Sequence, residues 1–160
     1  MKIWTVGTSK RSLEGFLDLL GAYRIEAVAD VRRFPRSKFK HFNQENLEAS
    51  LNRRGVKYLH LAELGGHRKG GYKKFTETEE FEKGLTCLEE LAGTSTRRVA
   101  VVCAELRFSQ CHRRFIADAL KLRGYTVIHI IDEEQSCEHK YRSRGRAEKH
   151  KSKTLEEFLQ

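Results

Sequence analysis

Apolar positions along the chain switch between two spacings, and the switches mark its elements. Ile3-Trp4-Thr5-Val6 is a short apolar run ended by Gly7, and it predicts a first strand. Leu13, Phe16, Leu17 and Leu20 then recur on one face of a helix that ends near Gly21. Ala27-Val28-Ala29-Asp30-Val31 is a second strand. Asn43 suits the cap of a helix that carries Leu47 and Leu51 and stops at Gly55. A third strand alternates through Val56, Tyr58 and His60. Thr76 and Glu79 have capping-box spacing before Phe81, Leu85, Leu88 and Ala92. Val99 to Cys103 is a buried fourth strand. Ser109 suits the cap of a last helix with Ile116, Ala119 and Leu120 inside, and residues 126–131 make a fifth strand.

The alternation predicts an α/β fold: one domain with a mostly parallel five-stranded sheet and helices on both faces, over residues 1–132. Residues 133–160 read as a basic C-terminal extension. Its low apolar content favours disorder, at least in part, while Leu155, Phe158 and Leu159 would allow docking; periodicity does not decide between them. No apolar run approaches the ~20 residues that span a bilayer, and the first strand turns polar too early for a signal peptide. A cytoplasmic protein with reduced thiols at its four cysteines and no membrane partner is expected.

Charge changes this picture. The net charge is +9, and segments 31–41, 66–75, 107–114 and 138–153 hold 19 of the 31 Lys and Arg with only two acids, Glu138 and Glu148. The rest of the chain is acidic in balance, so the basic charge is concentrated and points to an anionic partner. The first three segments each follow a predicted strand. In a parallel sheet such loops meet at the carboxyl edge, where open α/β folds bind ligands. The loop holding Ser9 belongs to the same edge.

Three stretches carry candidate chemistry. Residues 30–42 place Arg32, Arg33, Arg36, Lys38 and Lys40 among Phe34, Phe39 and Phe42 after a single acid, Asp30. Arg forks suit phosphate and Phe rings suit bases, although the same rings also serve as packing under a solvated loop. Residues 64–72 set Arg68 among four glycines, which let a backbone approach phosphate, but no P-loop sequence is present. Residues 103–114 put Cys103 at a strand end and Cys111, His112 and Arg113 at a helix start, with Glu105 as the loop's carboxylate. Free amides and the positive helix end there favour an anion and lower a thiol's pKa. A cysteine closing a buried strand is more commonly just a small hydrophobe. No Cys-x2-Cys pair exists, and neighbours on a helix point to different sides, so no metal or other cofactor is expected.

The joint order of Thr5-Val6-Gly7-Thr8-Ser9, Asp30-Val31-Arg32, Pro35-Arg36-Ser37, Leu64-Gly65-Gly66, Cys103-Ala104-Glu105, Cys111-His112-Arg113 and His129-Ile130 resembles the domain-of-unknown-function-488 family. The resemblance implies a compact α/β protein with a shared site, and no particular reaction. A weaker likeness to rhodanese-type and phosphatase-type domains is an analogy only, because their tight Cys-x5-Arg loop is absent: Ser109 stands six after Cys103. The function expected is binding of a phosphate-bearing ligand, nucleic acid or nucleotide, through Ser9, Asp30, Arg32, Arg36, Arg68 and Arg113. The rival is a thiol-dependent enzyme on a small anionic substrate, with Cys103, Glu105 and His112 as candidates for catalysis.

Overall fold

The computed structural model describes residues 1–93 and 97–141. The order is β1 (Lys2–Gly7), α1 (Leu13–Ala22), β2 (Ala27–Asp30), α2 (Gln44–Arg53), β3 (Lys57–His60), α3 (Tyr72–Phe75), α4 (Glu79–Ala92), β4 (Val99–Cys103), α5 (Arg113–Leu122), β5 (Thr126–Ile130) and β6 (Ser136–Glu138). They build one sheet in the order β3-β2-β4-β1-β5-β6. The first five strands are parallel, and β6 runs antiparallel to β5.

Successive side chains of a strand face opposite ways, and β4 shows the consequence. Val99, Val101 and Cys103 join the layer under α3, α4 and α5, while Ala100 and Val102 join the layer under α1 and α2. Phe16, Leu20, Leu47 and Leu51 fill the second layer; Phe81, Leu85, Leu88, Ile116 and Leu120 fill the first. Each fully buried Val, Leu or Phe contributes about 1.5–3 kcal/mol over exposure, so the sheet is held from both sides. No helix among the described residues is long and apolar enough to cross a membrane.

Among the described residues the expected five strands become six. Residues 133–139, read from sequence as the start of an extension, fold back with Asp132 as a hairpin. The Asp132 carboxylate accepts from the amides of Glu134 (2.9 Å) and Gln135 (2.7 Å), and the Tyr23 hydroxyl pins the turn at the Asp132 and Gln135 carbonyls. A three-residue strand reading Ser-Cys-Glu has no apolar alternation to reveal it; the turn and the ladder make it. The basic residues from Arg142 onward, with Leu155, Phe158 and Leu159, lie outside the described residues.

Helix starts also shift. Thr78, not Thr76, caps α4, accepting from the Phe81 amide. Ser109 sits in a 3-10 turn (Phe108–Gln110), and α5 begins only at Arg113, after His112. This second shift decides the geometry of the site.

Candidate functional site

The parallel strands end together, so their following loops share one edge. Gly7 pairs with Cys103, and Asp30 with both Val102 and His60. β1 and β4 are neighbours whose chains leave toward helices on opposite faces of the sheet, the arrangement that opens ligand crevices in α/β folds. Here the crevice is tightly closed. The Thr8 and Ser9 amides donate to the Cys103 and Ala104 carbonyls at 2.8 and 2.9 Å. A Cβ on Gly7 would stand 2.0 Å from the Glu105 carbonyl oxygen, so only glycine fits there. Ser9 takes a left-handed conformation (φ 46°) to make this turn.

Most of the arginines expected to grip phosphate are spent on the protein itself. Arg32 is buried, and its Nε and Nη2 donate to the two oxygens of the buried Asp30 at 2.9 and 2.8 Å. Its Nη1 donates to the Phe42 carbonyl (2.7 Å), and the Tyr58 hydroxyl donates to Asp30 at 2.6 Å. Burial, followed by the charge of Asp30, pushes the Tyr58 hydroxyl further up from its ordinary pKa. Arg68 lies 4.0 Å over the Phe75 ring and donates to the Gly65 and Ala62 carbonyls and to Glu80. Arg36 is exposed. The Asp30–Arg32 pair therefore ties the β2 loop to its strand, and Arg68 ties together the loop after β3.

Arg113 is 1% exposed and meets no carboxylate among the described residues. It donates to the Glu105 carbonyl (2.5 Å), the Leu106 carbonyl (3.3 Å) and Thr5 Oγ1 (3.3 Å). Its Nε is a buried donor without a partner among the described residues. Glu105 presents its backbone to the site, while the residue itself is exposed.

Beside Arg113 sits a sulfur and imidazole cluster that the sequence argued against. Cys111 is extended (φ −125°, ψ 153°) because α5 starts after it, so the helical rule that sends neighbours to different sides does not apply. His112 Nδ1 lies 3.7 Å from Cys111 Sγ and 3.9 Å from Cys103 Sγ, and the three donor atoms fall within 4.8 Å of one another. His112 Nε2 is 2.9 Å from the Val31 carbonyl, which only accepts, so Nε2 carries a proton; Nδ1 faces the sulfurs, with a lone pair on the neutral ring and an N–H on the imidazolium. The neighbouring Cys103 thiol holds Cys111 well below the ordinary thiol range against the opposing effect of burial, with help from a charged His112 and from Arg113. The nearby Cys111, followed by burial, pushes Cys103 up. Tyr72 walls the cluster, its ring centre 5.0 Å from that of His112, and Gly66 lies against the imidazole.

A second buried network went unseen in sequence. Arg113 donates to Thr5, Thr5 Oγ1 lies 2.6 Å from His129 Nδ1, His129 Nε2 lies 2.9 Å from His139 Nδ1, and His139 Nε2 lies 2.7 Å from an Asp118 oxygen. The hydrogen bonds run one way, from a guanidinium to a carboxylate, if each imidazole is neutral with its proton on Nε2. Phe108 stacks on His129 at 3.5 Å. His139 follows β6, in the stretch that had looked like an extension, so no periodic signal marked it.

Neither a curated protein nor a solved structure shows a significant match to this chain. One family model matches residues 12–120, which include β2 to β4 with Asp30, Arg32, Cys103, Cys111, His112 and Arg113, but not Thr5 or His129. That span is most of the chain, and the protein belongs to the family described as Domain of unknown function DUF488.

Proposed function

We propose that the carboxyl edge binds a phosphate-bearing ligand, and specifically a nucleic-acid strand. The observation that carries this reading is the set of exposed cations on the βα loops: Lys10 after β1, Arg36, Lys38 and Lys40 after β2, Lys69 and Lys73 before and at α3, Arg107 after β4. Among the described residues none of these forms an ion pair. Like charges gathered on one edge repel each other until an anion neutralises them. On this reading Arg36 keeps the gripping role named from sequence, the buried Arg32 and Arg113 shape the loops, and other exposed side chains join Arg36 in meeting the polymer. Phe34 adds a base-sized ring, 66% exposed, with the Arg33 guanidinium 5.3 Å from its centre.

Anisotropy with a labelled single strand tests this at several salt concentrations. Four neutralised phosphates give a slope of log Kobs against log salt near about −2.8 for a single strand. Replacing Lys10, Arg36, Lys38 and Lys69 by Glu in the full chain should flatten the slope and weaken binding. An unchanged slope in that variant refutes the loop surface as the binding face.

A second reading, a thiol-dependent enzyme acting on a small anionic substrate, draws on the meeting of Cys103, Cys111 and His112 under the same edge. Iodoacetamide that consumes Cys103 or Cys111 ahead of the half-buried Cys87 and Cys137 supports it. Labelling of Cys87 and Cys137 alone removes it.

A further inference from the structure

We infer that Cys103 Sγ, Cys111 Sγ and His112 Nδ1 form a site for one divalent ion of zinc's class, with a fourth coordination position left for an oxygen ligand. The distances come first. Bond lengths of about 2.3 Å to sulfur and about 2.0–2.1 Å to nitrogen, arranged tetrahedrally, place sulfur and nitrogen about 3.6 Å apart. His112 Nδ1 stands 3.7 and 3.9 Å from the two sulfurs, each within a few tenths of an ångström of that separation, and all three atoms lie within 4.8 Å of one another. Thiolate and imidazole are the donors this ion class selects over calcium and magnesium, which take oxygen.

The surroundings are those of a metal site. A ligating imidazole normally donates its other N–H to a carbonyl or carboxylate, which fixes the ring and its tautomer. His112 does so to the Val31 carbonyl. The Arg113 amide stands 3.4 Å from Cys111 Sγ and donates to it, and both cysteines are 5% exposed. Tyr72 and Gly66 close on the imidazole and hold it in place.

Charge is the independent observation. Arg113 is a permanent cation, buried, with only neutral acceptors and one orphan N–H among the described residues. A dithiolate beside it supplies the missing negative charge. Metal binding drives any thiol proton to solvent, and two thiolates then cancel a divalent ion. Arg113 leaves the assembly at +1, so the open position favours an anionic oxygen, hydroxide or phosphate, over a neutral ligand. Three protein ligands with an open fourth place are the pattern of catalytic rather than structural zinc. The inference does not depend on the nucleic-acid reading.

The test uses the full, untagged chain stripped with chelator and titrated with Co²⁺ and Zn²⁺. One equivalent per chain should remain after dialysis. Co²⁺ should give the intense visible bands of a tetrahedral ion and a sulfur-to-cobalt charge-transfer band. Cys103→Ser, Cys111→Ser and His112→Gln, checked for folding by circular dichroism, should each weaken binding by more than the about 10–100-fold that losing an outer-shell partner costs. The double variant Cys87→Ser/Cys137→Ser alters only half-buried sites and should keep spectrum and stoichiometry. Absence of a stoichiometric ion, loss of the charge-transfer band in that double variant, or undiminished binding in a folded His112→Gln overturns the site. Oligonucleotide binding by the stripped chain is read separately, so failure of the metal site and failure of the nucleic-acid face give different results.

Discussion

Lowering the pH should unfasten the network around His129, and the size of the effect follows from its burial. His129 is 1% exposed, stacked under Phe108 and held between Thr5 and His139. Burial, then the neighbouring His139 and Arg113, push it down to about 3 from 6.5. The unfolded chain therefore takes up a proton near pH 6.5 that the folded chain refuses until about pH 3. Stability from this group is full above pH 6.5 and is lost as pH falls toward 3, at about 1.4 kcal/mol per pH unit. Between pH 7 and pH 5 the loss is about 2 kcal/mol, a large share of a domain's typical stability. Urea unfolding followed by circular dichroism at pH 7, 6 and 5 measures it, with His129→Gln as comparator. The variant starts lower because the Thr5 and His139 hydrogen bonds are disturbed, but its pH slope should be shallower by that amount. Equal slopes in the two proteins would show that His129 already accepts a proton in the folded state.

Other substitutions separate scaffold from surface. Arg32→Met leaves the Asp30 carboxylate buried with no cation, and should cost about 3–5 kcal/mol in thermal or urea unfolding; a loss of polymer binding with no loss of stability would return Arg32 to the role of phosphate ligand. Gly7→Ala drives a Cβ into the Glu105 carbonyl and should destabilise by about 1–3 kcal/mol, read by urea midpoint, whereas an unchanged midpoint would mean the β4 loop yields freely. Phe34→Ala should leave the melting temperature unchanged, since the ring is exposed, yet weaken single-strand binding by about 1–3 kcal/mol in an anisotropy titration if a base stacks on it.

The five parallel strands were legible because each has either an apolar run or, for β3, an alternating one, between helix-period segments. β4 is the clearest case, with every residue from Val99 to Cys103 buried. β6 was illegible because it rests on a backbone ladder and on the Asp132 turn, and neither leaves a hydrophobic period. The site was half legible. Strand alternation placed the loops on one edge, and Cys103, His112 and Arg113 were singled out around the loop where the sulfur and imidazole cluster lies. What the charge pattern hid was burial: an Arg beside an Asp two residues away reads as a free cation until Tyr58 and Phe42 are seen to complete its cage. Cys111 was misjudged because a helix start placed at Ser109 instead of Arg113 set its side chain on a different side from that of His112. Thr5, Asp118 and His139 lie far apart in sequence and meet only through β1, α5 and the chain after β6.

The central claim is that one edge of the sheet, the one bearing the βα loops, is the functional face. Amide chemical shifts of the labelled full chain, recorded while a short single strand is added, test it most directly. Perturbations should gather at residues 8–12, 31–43, 61–71 and 104–112, where the loops follow β1 to β4. Residues 23–26, 54–56 and 123–125, at the opposite edge, should stay still. Shifts concentrated at that opposite edge, or on the exposed side of α4, would contradict the account.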